Sequence, residues 1–135
     1  MKRKWKLALV SAGALLLIFA VLWYPYESGV VPEWKIQVID SGGHPLIGGQ
    51  ANQEWLDPIE DGITSADARQ TDSAGFVVFP KRVLHNRLVL GTPTFPPAAR
   101  VTVCGKDEFG DVEWEAQNQK IVTQLELKRG PCPYD

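Results

Sequence analysis

Residues 36–55 read IQVIDSGGHPLIGGQANQEW, and residues 71–80 read TDSAGFVVFP. In the first segment Ile36 and Val38, together with Trp34 just before it, fall on one face, and Lys35 and Gln37 fall on the other. That period of two is the pattern of a half-buried strand. The run DSGGHPLIGG (residues 40–49) is turn chemistry. Ala51 and Trp55 then share a phase opposite Asn52 and Glu54, which predicts a second strand. Residues 71–75 form another turn, and Phe76, Val77, Val78 and Phe79 follow as an apolar run stopped by Pro80. A run without alternation predicts a strand buried on both faces.

The same reading extends downstream. Leu84, Leu88 and Leu90 share a phase and predict a strand, followed by a proline-rich extended stretch at 92–98 (TPTFPPA). Val101 and Val103 mark a further strand before a turn at 105–110. Val112, Trp114 and Ala116 then alternate with Glu113 and Glu115. Ile121, Thr123, Leu125 and Leu127 predict the last strand, since Gly130 and two prolines close the chain. Short strands, turns at near-regular intervals and no helical period predict an all-β fold over residues 34–135, an antiparallel sandwich of six to seven strands. Residues 57–69 (DPIEDGITSADAR) lack alternation, carry four acids and predict a long surface loop, the kind of segment that makes contacts.

Asp40, Gly43, Pro45, Leu46 and Gly48, then Thr71, Asp72, Gly75 and Phe79, resemble the carboxypeptidase regulatory-like and transthyretin-like sandwiches. The pattern there is a strand ending in Asp, a Gly-x-Pro-Leu-x-Gly turn, a second strand, then Thr-Asp-x-x-Gly before a strand with aromatics. The likeness covers about a third of the chain, and its physical content is turn geometry, with glycines adopting positive φ and proline presetting the bend. It implies a sandwich used as an accessory, binding or structural module. The hydroxyisourate-hydrolysing relatives of transthyretin end in a Tyr-Arg-Gly-Ser signature. This chain ends Arg129-Gly130-Pro131-Cys132-Pro133-Tyr134-Asp135, so their activity is not implied.

Upstream of the sandwich, residues 7–24 (LALVSAGALLLIFAVLWY) form an uncharged run of 18, long enough as a helix to reach about 27 Å. Lys2, Arg3, Lys4 and Lys6 precede it, and Trp23, Tyr24 and Tyr26 fringe its far end. Basic flank and aromatic fringe predict a signal-anchor with residues 1–6 in the cytoplasm and the C-terminal part outside, periplasmic or extracellular. The alternative is a cleaved signal peptide, but the small-x-small pairs Ser11/Gly13 and Ala12/Ala14 lie inside the run and not after it. Residues 25–33, containing Pro, Gly and Ser, predict a short linker. Past Tyr24 the chain carries 10 bases against 16 acids, a net charge of −6. An acidic outer domain repels phosphate backbones, which argues against nucleic acid as a partner.

Cys104 and Cys132 are the two cysteines, and an even count in an exported domain predicts a disulfide. The chain holds no complete catalytic or cofactor motif. His44 and His85 are the only histidines, the first in a turn and the second on a strand, and neither has a nucleophile or two further ligands in sequence reach. Glu54, Asp57, Glu60, Asp61 and Asp67 lack the spacing of a calcium loop, so a solvated acidic surface is favoured over a metal site. Trp34, Trp55 and Trp114 lie on the apolar phase of their strands, which favours core packing over ligand stacking. Glu113 and Glu115 share one face as solubilising charges. These readings predict no catalytic residues, no metal and no cofactor. They point to a non-enzymatic envelope protein that contacts another protein, with a module binding cell-wall carbohydrate or peptide as the alternative and a hydrolase as a remote third. Protease added to intact spheroplasts is expected to remove the outer domain; a mature N-terminus near Tyr26, or a protected C-terminus, would refute the anchor.

Overall fold

The structure, a computed structural model, describes residues 2–55, 65–91, 97–118 and 120–133. It consists mostly of strands, preceded by one apolar helix. Helix α1 (Lys2–Trp23) is long and apolar enough to cross a membrane, and none of its residues from Lys4 to Trp23 is buried within the protein. It stops where it must. Tyr24 precedes Pro25, whose ring disfavours the helical conformation in the residue before it.

Ten strands are described: β1 (Pro25–Val31), β2 (Trp34–Ile39), β3 (Gln50–Trp55), β4 (Ser65–Gln70), β5 (Phe76–Phe79), β6 (Arg82–Arg87), β7 (Ala98–Gly105), β8 (Glu108–Glu115), β9 (Gln124–Glu126) and β10 (Lys128–Arg129). They form a five-stranded sheet in the order β10-β8-β7-β3-β4, a three-stranded sheet β5-β2-β9 and a two-stranded sheet β1-β6. All three sheets feed one core. Trp34, Ile36, Val38, Val77 and Phe79 come from the three-stranded sheet, Ala51, Trp55, Val101, Val103 and Trp114 from the five-stranded sheet, and Val31 and Leu84 from the pair. The three tryptophans are therefore core residues, as their phase predicts. Trp34 keeps its indole N–H satisfied by donating to the Val122 carbonyl at 2.7 Å.

The turn residues interlock. The Asp40 carboxylate accepts from the Gly42 and His44 amides, and the Asp72 carboxylate accepts from Ala74 and Phe76 in the same i+2, i+4 pattern. These amides hold both carboxyls below the ordinary carboxylate range, chiefly through the His44 N–H for Asp40 and the Phe76 N–H for Asp72. Gly75, at φ +78, receives the Val38 amide on its carbonyl at 2.8 Å. A Cβ there would stand 2.9 Å from both the Val38 carbonyl oxygen and Pro45 Cβ, so only glycine fits. Thr71 completes the knot: its hydroxyl donates to the Leu46 carbonyl at 2.6 Å and accepts the Gly49 amide at 2.8 Å.

Several boundaries differ from expectation. The stretch at 25–33 expected as a linker begins with a strand: β1 pairs antiparallel with β6 from Pro25 opposite Arg87 to Val31 opposite Arg82, with a bulge between Glu27 and Gly29. Its turn-like composition has another cause. Proline is tolerated at the first residue of a strand, and Gly29 meets Pro97 so closely that a Cβ would lie 2.2 Å from Pro97 Cγ. Residues 65–69 of the expected loop belong to β4, which pairs with β3 along six residues; residues 56–64, including Asp57, Glu60 and Asp61, lie outside the described residues. The run 76–79 is buried on one face only, with Val77 and Phe79 inside and Val78 exposed. Leu88 and Leu90 leave the strand for a 3-10 turn, Leu88–Leu90. The last predicted strand shrinks to β9, and the sheets are not wholly antiparallel, because β9 runs parallel to β2.

Cys104, on β7, and Cys132, beyond β10, lie 5.6 Å apart at Cα with their sulfurs at bonding distance, as the cysteine count predicts. Closing that loop limits the unfolded chain, so Cys132→Ser is expected to cost about 3.5 kcal/mol on the chain-entropy account, read as a lowered midpoint in urea unfolding of the oxidised protein.

Candidate interaction surface

The five-stranded sheet turns one face inward and the other to solvent, and its register decides what the outer face shows. Trp55, Ala99 and Trp114 stand opposite one another across β3, β7 and β8, all pointing inward. The next row is Glu54, Arg100 and Glu113, pointing out. At this end of the sheet lies a depression of about 270 Å³, lined by Trp55, Ala98, Ala99 and Trp114 together with Glu54, Arg100, Glu113 and Glu115.

The charges there are uneven. Arg100 donates through Nε to Glu113 Oε1 at 2.8 Å, and its Nη2 bonds the same oxygen. This bond is the main reason the guanidinium pKa rises above its ordinary value, with the fields of Glu113, Asp111 and Glu54 adding to it. One base thus faces several acids. A second depression, of about 400 Å³, is also lined by Glu113 and Glu115 and continues to Asn118, Lys120 and Val122.

Behind this face, on the inner side of β3 and β4, lies a polar cluster that sequence reasoning missed. Gln53 is fully buried, at 0 % exposure, and its Oε1 accepts from Arg82 Nε at 3.4 Å. Arg82 forms an ion pair with Asp67 and lays its guanidinium 4.3 Å from the centre of the Trp55 ring. Arg69 also reaches Asp67, at 3.0 Å, and donates to the Val78 carbonyl on β5. Burial raises the Asp67 pKa, but the bonds from Arg69 and Arg82 outweigh it and hold the carboxyl below its ordinary value. The cluster therefore joins the open edges of β4 and β5. In the sequence Asp67 reads as a surface acid, because local pattern does not show which strand faces its neighbours will cover.

The remaining candidates do not converge. His44 is exposed in the turn beside Asp40, at 3.7 Å, and His85 sits half-buried on β6 opposite Glu27. Glu54 and Asp67 lie on opposite faces of adjacent strands. Among the described residues no group of three or more His, Cys, Asp or Glu is arranged to hold a metal ion. A scan of protein-family models finds no match to the chain, and a search of curated proteins finds none either.

The lowered pKa of Asp67 fixes the sign of a pH effect. A carboxyl depressed in the folded state stabilises above its unfolded pKa of about 3.9, and that stability drains away as pH falls toward the folded value. Asp67→Asn should lower the melting temperature at pH 7, and the gap from the wild type should close below about pH 4. A gap that stays constant down to pH 2 would show that the carboxylate's charge contributes nothing.

Proposed function

We propose that the chain is a membrane-anchored, non-enzymatic docking module. In this reading α1 lies in the membrane with residues 1–6 in the cytoplasm, and the strands form an extracytoplasmic β-sandwich of the carboxypeptidase regulatory-like and transthyretin-like kind. The order of turn residues around Asp40, Pro45, Thr71, Asp72 and Gly75 supports that assignment, since their hydrogen bonds make one interlocked turn cluster. The module recognises another protein, and the observation that carries this is the depression lined by Glu54, Glu113 and Glu115 beside Ala98, Trp55 and Trp114. Its small, partly apolar base and its surplus of carboxylates suit a Lys or Arg side chain, whose stem packs on the base while its head meets Glu113 and Glu115. Complementary charge of this kind guides encounter and selects the partner more than it raises affinity.

A cell-wall carbohydrate or peptide is the second reading, favoured by the two tryptophans beside the depression. It ranks lower because both indoles are buried and offer little ring face for stacking. Photo-crosslinking in native membranes tests the first reading, with the probe at position 115 and a control at exposed Ile47. A discrete protein adduct is expected at 115 and not at 47, reduced at least tenfold by the charge reversal Glu113→Lys in protein that retains its disulfide and melting temperature. Equal labelling at both positions, or an adduct indifferent to the reversal, would overturn the proposal. Binding of wall polysaccharide that competes with the adduct would favour the second reading.

A further inference from the structure

The 3-10 turn Leu88–Leu90 carries three apolar side chains and buries none of them: Leu88 is 50 % exposed, Val89 46 % and Leu90 57 %. Such a patch on a small domain calls for a partner. Its position follows from strand register. Pro25 is the second residue after α1 and pairs with Arg87, the residue before the turn, so the chain leaves β6 beside the point where it left the helix. The turn accordingly packs against α1, and the Arg87 guanidinium lies 5.3 Å from the centre of the Trp23 ring.

The turn is also held in shape. Gly91, at φ +81, returns its amide to the Leu88 carbonyl at 3.0 Å, while buried Asn86 donates to the Gly91 carbonyl at 3.2 Å. Three exposed apolar residues are thus fixed at the level of Trp23 and Tyr24, themselves exposed aromatics at the outer end of the apolar helix. That is the depth at which aromatic belts meet headgroups.

We propose that Leu88, Val89 and Leu90 insert into the interface of the same bilayer that α1 spans, making a second membrane contact. The inference rests on the membrane reading of α1. With β1 in the fold and not a free linker, the helix end, the β1-β6 pair and the inserted turn would set the domain at one orientation on the lipid surface, like a short amphipathic anchor beside a spanning one.

The test uses the full chain, disulfide oxidised, in nanodiscs of phosphatidylethanolamine and phosphatidylglycerol. Nitroxide labels are attached one at a time through Val89→Cys, Leu90→Cys, Ile18→Cys and Ile47→Cys, and each is challenged with oxygen and with a water-soluble nickel chelate. At 89 and 90 we expect loss of relaxation by nickel with retained relaxation by oxygen, as at 18, whereas 47 keeps its nickel response. Nickel access at 89 and 90 equal to that at 47, with 18 shielded, would overturn the insertion and leave the spanning helix standing. Nickel access at 18 would overturn both. Dipolar broadening at 89 that vanishes on dilution with unlabelled protein would assign the patch to a second copy of the chain and also overturn insertion.

Discussion

Thr71, Asp72 and Gly75 make one short turn that bonds to both β2 and the 40–49 turn, and the register of β2 against β5 depends on it. The Val38 amide bonds the Gly75 carbonyl, the Thr71 hydroxyl bridges Leu46 and Gly49, and the Leu46 amide returns to the Val38 carbonyl. These bonds tie β2 to β5 and bring the end of the 40–49 turn onto the start of β3. Because a strand shifted by one residue exposes its whole buried face, fixing the register here also fixes which side chains become core. Gly75 is the constraint with least tolerance, since backbone and not a yielding side chain opposes any added atom.

From that register the sheet edges follow. β4 ends the five-stranded sheet and β5 ends the three-stranded one, and open edges invite pairing with other chains. Arg69 and Arg82, gathered on Asp67, span this side, and the Val78 carbonyl on β5 accepts from Arg69. Placing charge on the inner side of an edge strand costs desolvation, offset here because each charged head has a partner and Arg82 also covers the Trp55 ring. The outer face of β3, β7 and β8 stays open to solvent, with Glu54, Arg100 and Glu113 in one row across it.

Much of this was legible in the residues. The alternation of Trp34, Ile36 and Val38 with Lys35 and Gln37 gave the first core strand its faces, and the burial follows them. The turn glycines and aspartates stand where turn chemistry places them, and the two cysteines meet. The candidate surface was half legible: the alternation puts Glu113 and Glu115 on one solvent face, but it does not show the pairing of Arg100 with Glu113, because cross-strand neighbours are far apart in sequence. The expected linker and loop failed for a shared reason. Pro25, Gly29 and the residues near 65–70 have weak strand preference, and they are strands because β6 and β3 offer them hydrogen-bonding partners.

The sequence by itself determined the apolar helix, its basic flank, the period-two core and the turn positions, since each depends on residues close together in the chain. Tertiary structure decided what depends on distant partners. It made β1 part of the fold, so that the apolar turn at 88–90 comes to rest beside the helix end. It turned Asp67 inward to Arg69 and Arg82, and it ran β9 parallel to β2. The physical reason is common to all three: a backbone amide, a carboxylate or a guanidinium takes whichever partner the packed core brings within about 3 Å, and local pattern carries no record of that choice.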